Sequence, residues 1–234
     1  MKSSIATALT FGDVEAEAGL RAALARSRTE VVTEISASRI RGRGGGGIPV
    51  GVKWNLCAAA RGDRKLVICN ADEGEPGTFK DRVLLARFAN LVVEGMTIAG
   101  YAIGATRGIL HLRAEYPYLL GHLESVLASR RERSLLGPAV LGSEDLDFDV
   151  EIRLGAGAFV LGEESAMVES LEGRRAEPRN RPPHPVDTSF LGRPTVVNNV
   201  ETLAWIPCIL SRGAAWFTEM GTEESTGCRL VSVS

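Results

Sequence analysis

The sequence predicts an α/β layered fold with a mainly parallel sheet. Three observations carry this. Short apolar runs at 65–69, 108–113 and 147–154 alternate with longer stretches whose apolar residues recur at helical spacing, the order from which parallel sheets are built. Glycine-rich turns follow the first and third of these runs, at 74–77 and 155–157, and mark strand-to-helix junctions. The chain has 234 residues, 44% of them hydrophobic, enough for one sizeable core.

Each element has its own local reason. Residues 14–27 read as a helix, with Leu20, Ala23 and Leu24 on one face. A second short helix covers 30–38. The run Gly42 to Pro49 then excludes regular helix. Residues 65–69 suit a buried strand, 70–80 a polar loop, and 81–105 one long helix. Residues 108–113 read as the next strand and 118–133 as the next helix. Phe148, Val150, Ile152 and Leu154 alternate as on a strand. Residues 163–171 read as a helix with Gly173 as its C-terminal stop. The prolines within 178–185 exclude regular structure. Residues 199–211 form a further helix, strained or bent at Pro207, and 229–233 begin a strand.

Composition narrows the function. Lys and Arg number 27 against 29 Asp and Glu, a net charge of −2, which excludes a generally basic nucleic-acid binder. The four cysteines, Cys57, Cys69, Cys208 and Cys228, form no C-x-x-C pair, so no zinc or iron–sulfur motif is visible and no metal is expected. Scattered cysteines and the absence of a signal-like N-terminus suggest a cytoplasmic protein. The apolar run 88–105 contains Asn90 and Glu94 and suits a buried helix better than membrane insertion.

The glycine run is the first candidate site. Gly42, Gly44 and Gly47 satisfy G-x-G-x-x-G, but the segment before them reads as helix, not strand. A phosphate-binding Walker loop also fails, because Val52 and Trp54 stand where Lys and Ser or Thr are needed. This disfavours a nucleotide hydrolase. Consecutive glycines nevertheless let backbone N–H groups converge on an anion, and Arg41, Arg43 and Lys53 add positive charge. A phosphate-bearing ligand and a plain surface loop both remain open. Asn70, Asp72, Glu73 and Glu75 follow a strand and are placed to meet a ligand, or they form a solvated acidic turn. Glu163 and Glu164 fall at a helix start, where the dipole alone favours acids. Asn198 and Asn199 sit beside Glu201, where one Asn suits a helix cap.

Taken together these segments resemble the flavin-binding subunit of complex I. The same family includes the diaphorase subunit of NAD-reducing hydrogenases and the flavin subunit of NAD-dependent formate dehydrogenases. Residues 69–82 (Cys-Asn-Ala-Asp-Glu-Gly-Glu-Pro-Gly-Thr-Phe-Lys-Asp-Arg) and 195–202 (Thr-Val-Val-Asn-Asn-Val-Glu-Thr) carry the likeness most specifically. The hydrogenase diaphorase branch is the most similar. The resemblance implies a Rossmann-like layered fold with a glycine-rich FMN loop. It implies FMN held by Gly42, Arg43, Gly44, Gly45, Gly47, Lys53, Asn70, Asp72, Glu73, Phe159, Gly162, Glu163, Asn198 and Asn199. It places NADH against Ile48, Glu75, Glu164, Arg181 and His184, with Glu75 and Glu164 positioning the nicotinamide. Hydride then passes from NADH to FMN without a side-chain acid or base, and electrons go on to iron–sulfur partners of a hydrogenase, formate dehydrogenase or complex I-like assembly. Such a chain is at most peripheral to a membrane.

On this resemblance residues 1–38 are an N-terminal helical segment, 39–226 the FMN-binding α/β domain, and 227–234 the first strand of a truncated following domain. The family continues into ubiquitin-like and [4Fe–4S] domains absent here, and the four cysteines do not match the cluster ligands. Other departures fall where ligand is expected. The family reads Gly-Phe-Pro-Thr-Gly where this chain has Gly47-Ile48-Pro49-Val50-Gly51, and Pro-Pro-Phe-Pro where it has His184. Phe159 and Leu161 replace Tyr and Cys, and Ala176 replaces Gly. Ordinary divergence and a non-catalytic FMN-binding or assembly module with a weakened NADH site are both open readings.

Overall fold

A computed structural model describes residues 11, 14–62, 64–180, 184–187 and 189–233. Strands β1 (Lys65–Ala71), β2 (Ala105–Leu112), β3 (Asp149–Leu154) and β4 (Thr195–Asn199) form one sheet in the order β3-β2-β1-β4. Every pairing is parallel, with Val67 beside Gly108 on one flank and Val196 on the other. The expected α/β layered fold is present.

Side-chain alternation on β1 separates two cores. Val67, Cys69 and Ala71 face the larger one. Leu66 and Ile68 face a smaller one with Ile109, Val197, Met167, Val168 and Phe190. Both faces are covered, as a parallel sheet requires. The larger core is roofed by α5 (Ala89–Ile103) and α8 (Val200–Arg212), the smaller by α7 (Glu164–Leu171). Helices α1 (Ala18–Leu24), α2 (Arg28–Ala37), α3 (Val50–Ala59) and α6 (Leu120–Glu132) also contribute to the larger core.

The close contact between α5 and α8 has a backbone cause. Pro207 lies inside α8 and cannot donate to the Leu203 carbonyl four residues earlier. That carbonyl oxygen would stand 2.0 Å from a Cβ at Gly95 on α5, so only glycine fits there. Helix α8 runs from Val200 to Arg212 with Pro207 inside it.

Several other expectations need correction. The single helix expected at 81–105 is two, α4 (Lys80–Arg87) and α5, bent by 95°. Phe88 at the break leaves helical geometry and packs its ring 5.7 Å from that of Phe11. After the break α5 packs against β1 and β2, with every residue but Asn90 buried. Among the described residues no single helix is long and apolar enough to cross a membrane. No strand forms at 229–233. The segment has no ladder neighbour and is held by Leu230 N donating to Glu201 (2.7 Å) and Phe79 N donating to Ser232 (2.9 Å). Helix α3, strand β4 and helix α9 (Ala214–Thr218) were not expected.

The topology fixes where a ligand can sit. From β1 the chain moves outward through β2 to β3, then returns to β4 on the opposite flank of β1. Connections therefore diverge from the carboxyl ends of β1 and β4 and leave a crevice there.

Candidate functional site

The crevice is floored by residues at the carboxyl ends of two strands. Asn70, next to last on β1, pairs with Asn199, the last residue of β4. Asn70 Nδ2 donates to the Gly162 carbonyl (3.0 Å), and its Oδ1 accepts from Asp72 N (3.0 Å). This ties the β1 loop to the turn before α7. Asn198 Oδ1 accepts from the indole of Trp54 (2.9 Å), locking α3 to β4.

The glycine loop forms the roof. Gly42 N donates to the Ile48 carbonyl (2.9 Å) and closes the loop at its neck. Gly45 and Gly47 have φ of +100° and +60°, which glycine adopts at no steric cost. A Cβ at Gly45, Gly46 or Gly47 would meet no atom within 4 Å, whereas one at Gly44 would press on Asn199. The loop tip thus presents open backbone to the cleft, and its base is seated on β4.

Two adjoining hollows result. The first, of about 440 Å³, brings together Gly42, Gly44, Gly47, Ile48, Lys53, Asn70, Gly162, Glu164, Asn198 and Asn199. The second, of about 650 Å³, brings together Arg43, Gly45, Asp72, Glu73 and Glu75, and shares Gly44, Asn70, Gly162 and Asn199 with the first. Lys53 Nζ pairs with Glu164 Oε1 at 2.6 Å across the first hollow. A third trough begins at Ile48, Lys53 and Glu164 and runs past Val52 and Leu56 to His184.

Some expected site residues do other work. The Glu73 carboxylate accepts from Asp81 N, Arg82 N, the Thr78 hydroxyl and the Tyr116 hydroxyl, and so caps α4. Glu163 accepts from Ser165 N and Ala166 N and caps α7. The Arg43 guanidinium donates to the Cys228 carbonyl (2.7 Å) rather than to the glycine loop. Phe159 is 69% exposed and lies beside Gly74. Arg181 lies outside the described residues.

Sequence reasoning missed a buried network under the loop. Lys80 pairs with Asp81 (2.6 Å) and Glu201 (3.2 Å), and donates to Asn199 Oδ1 (3.1 Å). Burial pushes the Asp81 carboxyl up to about 6, against the pull of Lys80. Asp81 and Lys80 stand inside the 69–82 phrase, and Glu201 follows the two asparagines; the available signal was an acid–base excess beside the loop. Asp72 is likewise pushed up to about 6, by burial first and then by Glu115 and Glu75, with Arg113 opposing. The four cysteines are free. Among the described residues no group of three or more His, Cys, Asp or Glu side chains gathers to hold a metal.

The donor set suits a cofactor with a phosphate at one end and a polar ring at the other. Open glycine N–H groups and Lys53 favour an anion, and Asp72, which lines the second hollow, offers an acceptor. Residues 35–208 match the Nuo51 FMN-binding domain. The chain belongs to that family. It is 55% identical over 205 residues to NAD-reducing hydrogenase HoxS subunit alpha of Cupriavidus necator, covering 88% of this chain and 34% of the relative. It is 46% identical over 216 residues to NADP-reducing hydrogenase subunit HndC of Solidesulfovibrio fructosivorans (92% and 44%). It is 40% identical over 219 residues to an NADH-quinone oxidoreductase subunit of Escherichia coli (93% and 49%). The crystal structure of NAD+-reducing [NiFe]-hydrogenase in the H2-reduced state superposes with a TM-score of 0.83 at 46% identity, covering 92% of this chain and 36% of that one. The chain thus spans between a third and a half of these relatives.

Proposed function

We propose that this chain is the FMN-carrying part of an NADH:acceptor oxidoreductase, and that its electrons leave to an iron–sulfur partner in a hydrogenase-, complex I- or formate dehydrogenase-like assembly. The hydrogenase and NADH-quinone oxidoreductase relatives support the class. The observation that carries it is the cleft at the β1/β4 switch point, with an open glycine roof and a trough leading out at Ile48.

The residues divide the work by chemistry. Gly45 to Gly47 and Lys53 would hold the phosphate and polyol, and Asn70, Asp72 and Asn198 would orient the ring. FMN supplies hydride acceptance and the stepwise release of electrons. Glu164 stands where the trough opens and would position the incoming nicotinamide. Glu75 is exposed at the rim of the second hollow. No side chain need take or give a proton when hydride passes directly between rings.

A second reading rests on the trough. Its walls are Ile48, Val52 and Leu56, which are 43%, 52% and 50% exposed, and its described lining includes no Phe, Tyr or Trp. Without ring faces to stack on, NADH binds less tightly, as in a module that keeps FMN without turning over. Anaerobic NADH titration of the FMN-reconstituted chain separates the two. Bleaching of the flavin absorbance at micromolar NADH supports the enzyme. Bound flavin that stays oxidised through millimolar NADH supports the module.

A further inference from the structure

The cleft has a buried back wall that the proposed function does not use. His111, next to last on β2, is fully buried, and neither of its ring nitrogens has a hydrogen-bond partner. Asp72 Oδ2 is buried and also unpartnered. His111 Nδ1 and Asp72 Oδ2 lie 3.9 Å apart, with the side chains only 1% and 3% exposed. Buried polar atoms are nearly always paired, so unpaired atoms facing each other belong together. Closing the gap by about 1 Å brings them to hydrogen-bonding distance.

The surroundings leave few other partners. Gly155, after β3, covers the pair: a Cβ there would stand 3.0 Å from His111 Cε1 and 3.1 Å from Asp72 Oδ2. Its backbone therefore closes the space without interposing a side chain. The charged groups that act on Asp72 are Arg113, just after β2, and Glu115 and Glu75 on the two loops. Arg113 is engaged with Glu115 (2.9 Å) and with the Glu73 carbonyl. Burial lowers the His111 titration to about 4, so the imidazole is neutral at pH 7 and keeps one N–H. Asp72 also lines the second hollow.

We propose that His111 is a positioning residue for the cofactor cleft: its neutral ring donates from Nδ1 to Asp72 Oδ2 and turns the carboxylate so that Oδ1 meets the ligand. The role toward FMN rests on the proposed function; the pair itself does not. The donated hydrogen bond also steadies the ionised carboxylate, which accepts from a ring N–H better than the protonated acid does.

The test has two arms. In the first, FMN binding to the chain is followed by quenching of flavin fluorescence from pH 5 to 8. Wild-type affinity is expected to fall as Asp72 takes a proton. In His111→Phe the midpoint of that fall moves up by about one pH unit, the size expected for a lost hydrogen bond to a charged group. This reads as a Kd about fivefold weaker at pH 6, about twofold weaker at pH 7 and nearly unchanged at pH 8. His111→Asn, whose amide can donate, brings the midpoint back, and Asp72→Asn removes the pH dependence. A loss equal at every pH, or an unmoved midpoint, means that His111 only fills space and overturns the proposal.

In the second arm, imidazole nitrogen NMR of the FMN-free chain reads the His111 tautomer directly. The Nδ1–H form, altered by Asp72→Asn, is expected. The Nε2–H form, or no response to Asp72→Asn, overturns the pair even if His111→Phe fails to fold. A chain that shows the pair but binds no FMN sinks the functional reading and leaves the pair standing.

Discussion

The ion pair across the first hollow makes an asymmetric test of the site. Lys53 and Glu164 lie 2.6 Å apart with side chains 13% and 26% exposed. Lys53→Met keeps the apolar stem and removes the charge. If Lys53 hydrogen-bonds an anionic or polyol oxygen of FMN, the loss is that of one charged hydrogen bond, about 1.5–3 kcal/mol, or roughly ten- to a hundredfold in Kd. Glu164→Gln removes the negative partner and leaves Lys53 free for the ligand. The gain is limited by solvent, since a pair this exposed contributes about 1 kcal/mol at most; affinity is expected to stay level or tighten up to about fivefold. Flavin fluorescence titration at low and high salt gives both values, and a thermal melt shows whether each variant is folded. Opposite signs, shrinking with salt, are expected. Equal weakening by both variants, or an unchanged Kd in Lys53→Met, would refute the assignment of Lys53 to the ligand.

Three further outcomes follow from the same geometry. Gly45→Ala forces a side chain onto φ +100°, a strain of about 1–3 kcal/mol, in open space; a lowered melting temperature with the fold intact, and strongly weakened FMN binding, are expected by calorimetry and fluorescence. Ile48→Phe with His184→Phe restores ring faces to the trough; NADH is expected to bind about tenfold tighter with FMN affinity unchanged, read by anaerobic titration. His111 titrates near 4 in the fold, against an ordinary value of 6.5, so between these values the unfolded chain binds the extra proton, and the contribution from His111 is full above pH 6.5 and is lost as pH falls toward 4. By urea denaturation, wild type is expected to lose about 3 kcal/mol relative to His111→Phe between pH 7 and pH 4; a constant difference would refute this.

Legibility in the sequence followed locality. Strands β1, β2 and β3 were readable because each is an apolar run bounded by turn residues. Strand β4 was not, because its five residues end in Asn199, which also caps α8. The break at Phe88 was invisible because apolar residues continue through it; the 95° bend is set by packing against Phe11 and by the capping of α4 from Glu73, both distant in sequence. The site was legible as segments: the glycine run, the 69–82 phrase and the paired asparagines all meet at one crevice. What each acid does was not. Glu73 and Glu163 look like ligand groups in the sequence, yet each caps a helix. The role of Trp54 as the anchor of Asn198 had no signal beyond its place after Lys53.

That division of labour among acids resolves an apparent conflict. A site that must hold a phosphate is crowded with carboxylates, and bare carboxylates would repel it. Most of them are answered from within. Glu73 and Glu163 are met by backbone N–H groups at helix starts, Asp81 and Glu201 by Lys80, and Glu164 by Lys53. Each answered acid has oxygens committed to a wall rather than turned toward the ligand. Asp72 differs: its buried Oδ2 faces His111, and the residue lines the second hollow, beyond the shared residues Gly44 and Asn70. The cleft is therefore polar along its length, with N–H-rich glycines and Lys53 toward one end and an acceptor toward the other. A cofactor carrying a phosphate at one end and a ring N–H at the other can satisfy both ends in only one direction. The orientation of FMN then follows from how the acids are paired rather than from how many there are.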